Sequence, residues 1–491
     1  MLIKIHRLIE ELNKGGIRYC HWKSNSSLGK ALLGQTDIDL LIDRKDTRQF
    51  RIILSQLCFQ PAVTKGGGSF PSVEHYYTLD EESGILIHVH AYFRVITGES
   101  LTKNYRLPIE EMLLRNTRKV DSVRVPTKSA ELVVFTIRMM LKHTSLVELA
   151  LLSRYWKHVA EEVEWLLEKD PIDETLSFVK CWLPSLDTDL FSECILALKS
   201  PAPLSRRISL GYRLRSQLSP YARHSTIRAW LTGVRKFSIM FLRRLNGTQK
   251  GMVPRGGGAV IAFVGPEATG KSTLIAETRS WLGEHFDVEQ IHAGKPKSTL
   301  LSVIPNMFVP ALRSLLPSAR STHVEAQYTC DEQSENSRTF YPLIFAIRSA
   351  LLAYDRRSLL SRAFGRAANG TIVLCDRYPS MQSGSLDGPQ LSHLPVSPNR
   401  YSLRRRLANI EARLYREIPP PDLIIYLGAP LEVTLARNAS RGKKEPEDYV
   451  RRRHSRSSKL EFGNTPIYEI NTDQPLSQTV LEVKNAVWNV L

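Results

Sequence analysis

Apolar positions follow three patterns in turn along the chain. In residues 1 to about 120, short β-rich runs at 37–42 and 85–93 alternate with helical stretches, and Gly66, Gly67 and Gly68 mark a loop. The first twelve residues place apolar side chains at helical spacing among charges that include Glu10 and Glu11, which predicts a small amphipathic helix. From about 127 to 250 the period is helical, over 129–142, over 146–168 and then through a basic stretch. Past residue 258, continuous apolar runs of strand length alternate with helical segments. That alternation predicts an α/β fold with a parallel sheet covered by helices. Gly251, Pro254 and Gly256 to Gly258 punctuate the join. A chain of 491 residues is long for one domain. The expected division is an α/β domain over 1–120, a basic helical connector over 121–250 and a second α/β domain over 251–491.

The chemistry is clearest after the run at 259–264, which reads as a buried parallel strand. It leads into Gly265-Pro266-Glu267-Ala268-Thr269-Gly270-Lys271-Ser272, followed by Thr273 and a helix expected over 274–282. This satisfies G-x-x-x-x-G-K-[ST]. Glycines let backbone N–H groups turn onto phosphate oxygens, and the helix N-terminus adds the positive end of its dipole. Lys271 is placed for the terminal phosphates of ATP and the Ser272 hydroxyl for Mg²⁺. A second strand, at 370–375, ends in Asp376-Arg377-Tyr378. A carboxylate at that end of a neighbouring strand is placed to hold Mg²⁺ or its water shell. A third strand, at 422–427, leads into a helix and then Arg437, Arg441, Lys443 and Lys444. Clustered arginines on a closing segment neutralise a migrating phosphoryl group and exclude water, although each could also be a solvated helix end.

On these residues the C-terminal half resembles thymidylate kinases, which share the nucleoside-monophosphate kinase fold. The resemblance implies an acidic loop residue at Glu267 and an acceptor-phosphate contact at Arg377. It also implies an acceptor-site role for Arg356 within Ala353-Tyr354-Asp355-Arg356. Arg437 and Arg441 would then compensate for a loop that has Ala268 where a basic residue can stand. It further implies that residues 467–491 supply the final strand and helix. The chain departs from that pattern at Val264, where the family usually carries an acid. It departs again after Tyr378, where the serine-alanine-tyrosine-glutamine run is missing and the chain reads Pro379-Ser380-Met381-Gln382-Ser383-Gly384-Ser385-Leu386-Asp387. A kinase using ATP follows from the resemblance; thymidylate as the acceptor does not.

In the first segment Asp37 and Asp39 lie one residue apart on a strand, so both point to the same face and can bind one or two Mg²⁺ ions. With Lys23 and Ser24 upstream, this segment resembles the polymerase-β-type nucleotidyltransferases. The resemblance implies triphosphate binding near Lys23 and Ser24, and a third carboxylate from a later strand. The later strand carries His88 and His90 instead, two residues apart and so on one face, and imidazole is a poorer ligand for Mg²⁺.

The formal net charge of +18 is concentrated between Cys194 and Pro266, where there is no Asp or Glu. Such a stretch, roughly 199–255, seeks an anionic membrane surface, nucleic acid or an acidic face of its own protein. One helical stripe there joins Trp230, Val234, Phe237, Phe241 and Leu245, and it suits a bilayer surface or packing against a neighbouring domain. Six cysteines show no paired or metal-like spacing, and no run approaches a membrane span. A cytoplasmic protein with reduced thiols, soluble or peripheral to the membrane, is the expectation. Three functions stay open: a nucleoside-monophosphate-type kinase, a kinase for a sugar, glycan or nucleic-acid end, and an ATP-gated binding protein.

Overall fold

The computed structural model describes residues 1–65, 70–99, 102–142, 156–168, 172–199, 203–245, 251–297, 299, 343–382, 385, 387–392, 402–440, 445–457 and 461–491. The chain forms two compact units, Met1–Lys250 and Gly251–Leu491.

In the first unit the helix Ile3–Lys14 buries Ile5, Leu8, Ile9 and Leu12, the spacing of a single helical face. A mixed sheet follows, built from β1 (Tyr19–His21), β2 (Ile38–Ile42), β3 (Gln60–Thr64), β4 (Val73–Asp80) and β5 (Ile85–Tyr92) in the order β1-β2-β5-β4-β3. β2 runs parallel to β5 with Asp39 opposite His90, whereas β4 runs antiparallel to β5 with His75 opposite His90. Two ribbons complete the unit, β6 (Val95–Thr97) with β7 (Tyr105–Leu107) and β8 (Thr117–Val120) with β9 (Val123–Pro126).

Residue 120, expected as a boundary, lies in the second ribbon, and the core runs on across it. The helix Lys128–Lys142 is buried on most sides, including Leu132, Val133, Phe135 and Ile137. A helix that apolar needs cover all round. It shares one core with Cys20, Trp22, Leu41 and Tyr92 of the sheet and with Val163, Val179, Phe191 and Leu214 of the helices that follow. Those helices are Trp156–Leu167, Ile172–Trp182, Thr188–Lys199 and Leu204–Gln217. The last helix of the unit, Thr226–Leu245, keeps a row of large apolar side chains exposed. No helix among the described residues is long and apolar enough to cross a membrane. Cys20, Cys58, Cys181, Cys194 and Cys375 are free thiols; Cys330 lies outside the described residues.

The second unit opens with β10 (Met252–Pro254), which bridges to Phe286. Its sheet is wholly parallel, in the order β12 (Val288–His292), β13 (Ile372–Asp376), β11 (Val260–Val264), β14 (Leu423–Gly428) and β15 (Ile467–Asn471). β11 is buried along its whole length, because a parallel strand is covered on both faces. Val260, Ala262 and Val264 pack with Ala353 and Leu360 of the helix Leu343–Ala368. Each such buried Val or Leu contributes roughly 1.5–3 kcal/mol. Ile261 and Phe263 point to the opposite face, on the side of the helix Lys271–Gly283. The chain order reverses on either side of β11, and ligands of such sheets sit outside the strand ends at that reversal. The phosphate loop leaves β11 at that end.

Candidate phosphoryl-transfer site

Gly265 has φ 142, and a Cβ there would lie 2.3 Å from the Leu427 carbonyl oxygen, so only glycine fits where the loop leaves the sheet. Ala268 and Gly270 are also left-handed, at φ 64 and 83. Left-handed residues within a tight loop form the concave nests that gather N–H groups on an anion. The buried Thr269 hydroxyl donates to the Pro266 carbonyl at 3.0 Å and ties the loop to itself. Helix Lys271–Gly283 begins immediately after Gly270, which places Lys271, Ser272 and Thr273 in its first turn. The Lys271 ammonium donates to the carbonyls of Gly265 and Pro266, at 3.1 and 2.5 Å, while Ser272 and Thr273 face solvent. Burial pushes the Lys271 pKa down to about 8; Glu267 and Asp376 oppose the shift and Arg377 adds to it.

Asp376 ends β13 opposite Phe263 of β11, beside the strand that feeds the loop. The next residue, Arg377, is held at φ 67 with its N–H on the Phe263 carbonyl. That turn aims its guanidinium at Glu267, 2.6 Å away. Arg453, on the helix Glu447–Ser457, forms a second ion pair with Glu267 and lies over the Tyr449 ring. Burial alone would raise the Glu267 pKa, but Arg377, Arg453 and Lys271 hold it below the usual value.

Arg356, expected at the acceptor, is buried and fully engaged. It donates to the Ala293 carbonyl at 3.0 Å, to the Asp387 carbonyl at 3.0 Å, to the Tyr415 hydroxyl at 2.6 Å and to the Asp387 carboxylate at 2.9 Å. Asp387 also stands 3.5 Å from Arg377, so one carboxylate bridges both arginines. Four cations, Lys271, Arg356, Arg377 and Arg453, thus converge on three carboxylates, Glu267, Asp376 and Asp387.

Beside Asp376 opens a cleft of about 880 Å³ lined by Arg279, His292, Lys295, Lys297, Arg362 and Arg366, among others. His292 Nε2 is 4.0 Å from the Asp376 carboxylate. Of the two expected lid arginines, Arg437 is tied to the end of β15, donating to the Thr472 hydroxyl at 3.1 Å and its carbonyl at 2.8 Å. Arg441 lies outside the described residues. Among the described residues after β14, Arg453 reaches the loop, and sequence reasoning missed it; its local signal is Tyr449 one turn earlier. Asp387 was visible only as part of the run that departs from the thymidylate-kinase pattern.

The first unit brings Asp37 and Asp39 together with Lys23, His75, His88 and His90. His88 bonds Asp37 at 2.8 Å and His75 at 3.0 Å. Asp39 lies 2.7 Å from the Lys23 ammonium and 3.3 Å from His90. Burial would raise the Asp39 pKa, yet Lys23 and His90 hold its carboxyl well below the usual range. Burial pushes His90 down to about 4; it pushes His75 down to about 3, with help from the neighbouring histidines. The rings of His75 and His90 stack at 4.4 Å and those of Tyr77 and His88 at 4.3 Å. Two carboxylates, one ion-paired with Lys23 and the other bonded to His88, and both flanked by imidazoles, fit Mg²⁺ poorly, because that ion wants free hard oxygens. Among the described residues no group of three or more His, Cys, Asp or Glu is arranged to hold a metal ion. Ser272 and Asp376 are a different case. One hydroxyl and one carboxylate beside a phosphate loop suit an ion that completes its shell with phosphate oxygens and water.

No protein-family model matches the chain. The solved structure of a deoxyadenosine kinase from M. mycoides with bound dATP aligns with 46% of this chain and 97% of its own, at 16% identity and a TM-score of 0.27. In sequence the chain is 26% identical over 239 residues to the uncharacterized ATP-binding protein YghR of Escherichia coli K12, covering 46% of this chain and 86% of that one. The uncharacterized ATP-binding protein YghS of the same strain is 24% identical over 226 residues, covering 45% and 88%. The chain is thus similar in sequence to proteins named for ATP binding, and it carries a phosphate loop of matching chemistry at residues 265–272.

Proposed function

We propose that the second unit moves the γ-phosphate of ATP to a phosphate-bearing acceptor held in the basic cleft beside Asp376. The observation that carries this reading is the position of the cleft. It opens on the carboxylate at the end of β13, one residue from an arginine tied to the phosphate loop. Five cationic side chains, Arg279, Lys295, Lys297, Arg362 and Arg366, line it against two carboxylates, Asp376 and Glu289, the latter paired with Arg366; the cationic excess suits an anion and gives a neutral alcohol no advantage.

Lys271 would leave the loop carbonyls for the terminal phosphates. Arg377 and Arg453 sit where negative charge gathers during transfer, and Glu267 holds both in place until then. Mg²⁺, held by Ser272 and Asp376, would neutralise charge on the transferring and leaving oxygens. An acceptor phosphate between Arg356 and Arg377 would take over the bridging role of Asp387. The resemblance to thymidylate kinases favours a nucleoside monophosphate. Residues 379–387, which depart from that family, leave a phosphorylated sugar as the competing acceptor.

The test is a time course with γ-labelled ATP, Mg²⁺ and a panel of nucleoside monophosphates, sugars, sugar phosphates and short oligonucleotides. Label moving to thymidylate identifies the family's acceptor, and label on another phosphorylated compound keeps the kinase and replaces its substrate. Slow hydrolysis alone, with ATP still bound, overturns the proposal in favour of an ATP-gated binding protein.

For the first unit, the nucleotidyltransferase-like reading rests on Asp37 and Asp39 sharing a face of β2 beside β5. Its carboxylates, already held by Lys23, His88 and His90, weigh against metal-dependent transfer.

A further inference from the structure

The helix Thr226–Leu245 carries an apolar face that nothing in the phosphoryl-transfer reading uses. Ile227, Trp230, Leu231, Val234, Phe237, Phe241 and Leu242 recur at three- and four-residue steps, forming one stripe. All are exposed, Ile227 at 74% and Trp230 at 66%. The opposite side of the helix faces its own unit. The Lys236 ammonium lies 4.4 Å over the Phe70 ring, and Gly233 passes so close to Thr102 that a Cβ would touch its methyl at 3.5 Å. The stripe therefore points away from the unit's body. Arg228 and Arg235 flank it and are exposed.

We propose that this helix docks the protein on an anionic lipid bilayer surface, lying in the interface with its stripe turned into the acyl boundary. Charge complementarity selects that occupant. From Cys194 to Pro266 there is no Asp or Glu, so the whole surrounding segment is attracted to negative headgroups. An exposed tryptophan and two phenylalanines beside aliphatic residues are the composition that settles at the headgroup level. Nucleic acid would use the arginines and could stack on the aromatic rings. It has no use for Ile227, Leu231, Val234 and Leu242, which make up most of the stripe. A second copy of the chain would bring arginine against arginine with no acid on either helix.

The experiment is sedimentation of the full-length protein with vesicles of phosphatidylcholine alone, or of equal parts phosphatidylcholine and phosphatidylglycerol. Binding is expected to the mixed vesicles and not to phosphatidylcholine, and it should weaken as salt rises. The double substitution Trp230→Ser, Phe237→Ser should reduce it by about tenfold or more. Arg228→Gln and Arg235→Gln should each reduce it roughly fivefold. The four residues touched by these variants are at the surface, as are their neighbours on the stripe, so circular dichroism and ATP binding should match the parent protein. That match separates this inference from the kinase reading. Vesicle binding that survives the Trp230, Phe237 variant overturns the proposal. So does oligonucleotide binding, or a dimer seen by sedimentation equilibrium, that is lost in this variant when the parent ignores the vesicles.

Discussion

The two units place similar residues side by side to different ends. Each sets an acidic residue on a strand near a lysine, Asp376 with Lys271 in one and Asp39 with Lys23 in the other. In the second unit the lysine rests on backbone carbonyls, and the imidazole of His292 stands 4.0 Å from Asp376. In the first, the ammonium sits 2.7 Å from Asp39, and His88 bonds Asp37 at 2.8 Å. A carboxylate that is already paired has little capacity left for a further cation. The difference teaches that how far an acid is already paired, more than its presence in a motif, separates the carboxylate proposed for phosphoryl transfer from one held by a neighbouring ammonium.

The hardest test of that contrast is a pair of substitutions read by one assay. Lys271→Ala should lower phosphoryl transfer by roughly 10²- to 10³-fold in single-turnover measurements, the scale of losing a preorganised charge at the transferring group. Asp39→Asn should leave the same rate within about twofold. Equal losses in the two variants would mean that the sites work as one.

Acid should act on the first unit through its histidines. His75 and His90 have folded pKa values of about 3 and 4, below the unfolded value of 6.5. The unfolded chain therefore takes up protons first as pH falls below 6.5, and stability contributed by the neutral rings is lost progressively. From pH 7 to 5 that amounts to about 2 kcal/mol for each ring. Glu131 acts in the opposite sense: burial raises it to about 7, so its contribution is complete below the unfolded value near 4.5 and lost as pH rises through 7. The net change in the parent protein is then a partial cancellation. The sharper quantity is the difference from the His75→Gln, His90→Gln variant, which should gain about 4 kcal/mol relative to the parent over that pH range in urea unfolding of the first unit. A variant that tracks the parent would show that the rings titrate near their ordinary pKa.

Arg453→Ala should cost about ten- to a hundredfold in the rate of transfer, with ATP affinity changed much less, because Glu267 keeps its second partner Arg377. Lysine at the same position should restore only part of the rate, since an ammonium cannot reproduce the fork of a guanidinium.

This arginine also marks how far the sequence could be read. The strand before the loop was expected at 259–264 and runs Val260–Val264, because a buried parallel strand announces itself as an apolar run. The helix after the loop was expected from 274, its first apolar residue, but begins at Lys271, since the left-handed Gly270 caps it and helix starts are polar. The shared face of His88 and His90 was legible from period two. His75 was not, because it joins them only through the antiparallel register of β4 on β5. Arg453 meets Glu267 across 186 positions of chain, and no local pattern encodes a meeting that the folding of the whole unit brings about. Arg356 shows the converse: its motif was legible, but its engagement with Ala293, Asp387 and Tyr415 follows from tertiary packing.

The mildest effect belongs to the pH dependence of ATP affinity. With its pKa lowered to about 8 by burial, Lys271 is largely charged at pH 7 and largely neutral at pH 9. Bound phosphates favour the ammonium, so binding above pH 8 must be accompanied by proton uptake. Affinity should be flat from pH 6.5 to 7.5 and fall above 8, approaching tenfold per pH unit until the pKa of the bound state is reached. Lys271→Arg removes the titration, because a guanidinium stays charged throughout this range. Its affinity should be weaker at pH 7, since the fork does not fit a lysine's place, but level across the same range. Calorimetry in buffers of different ionisation enthalpy measures the proton directly. Uptake approaching one proton at pH 9 in the parent, and none in the arginine variant, places the titrating group at Lys271. Equal slopes in both would assign it to another group, with the solvent-facing nucleotide as the first alternative.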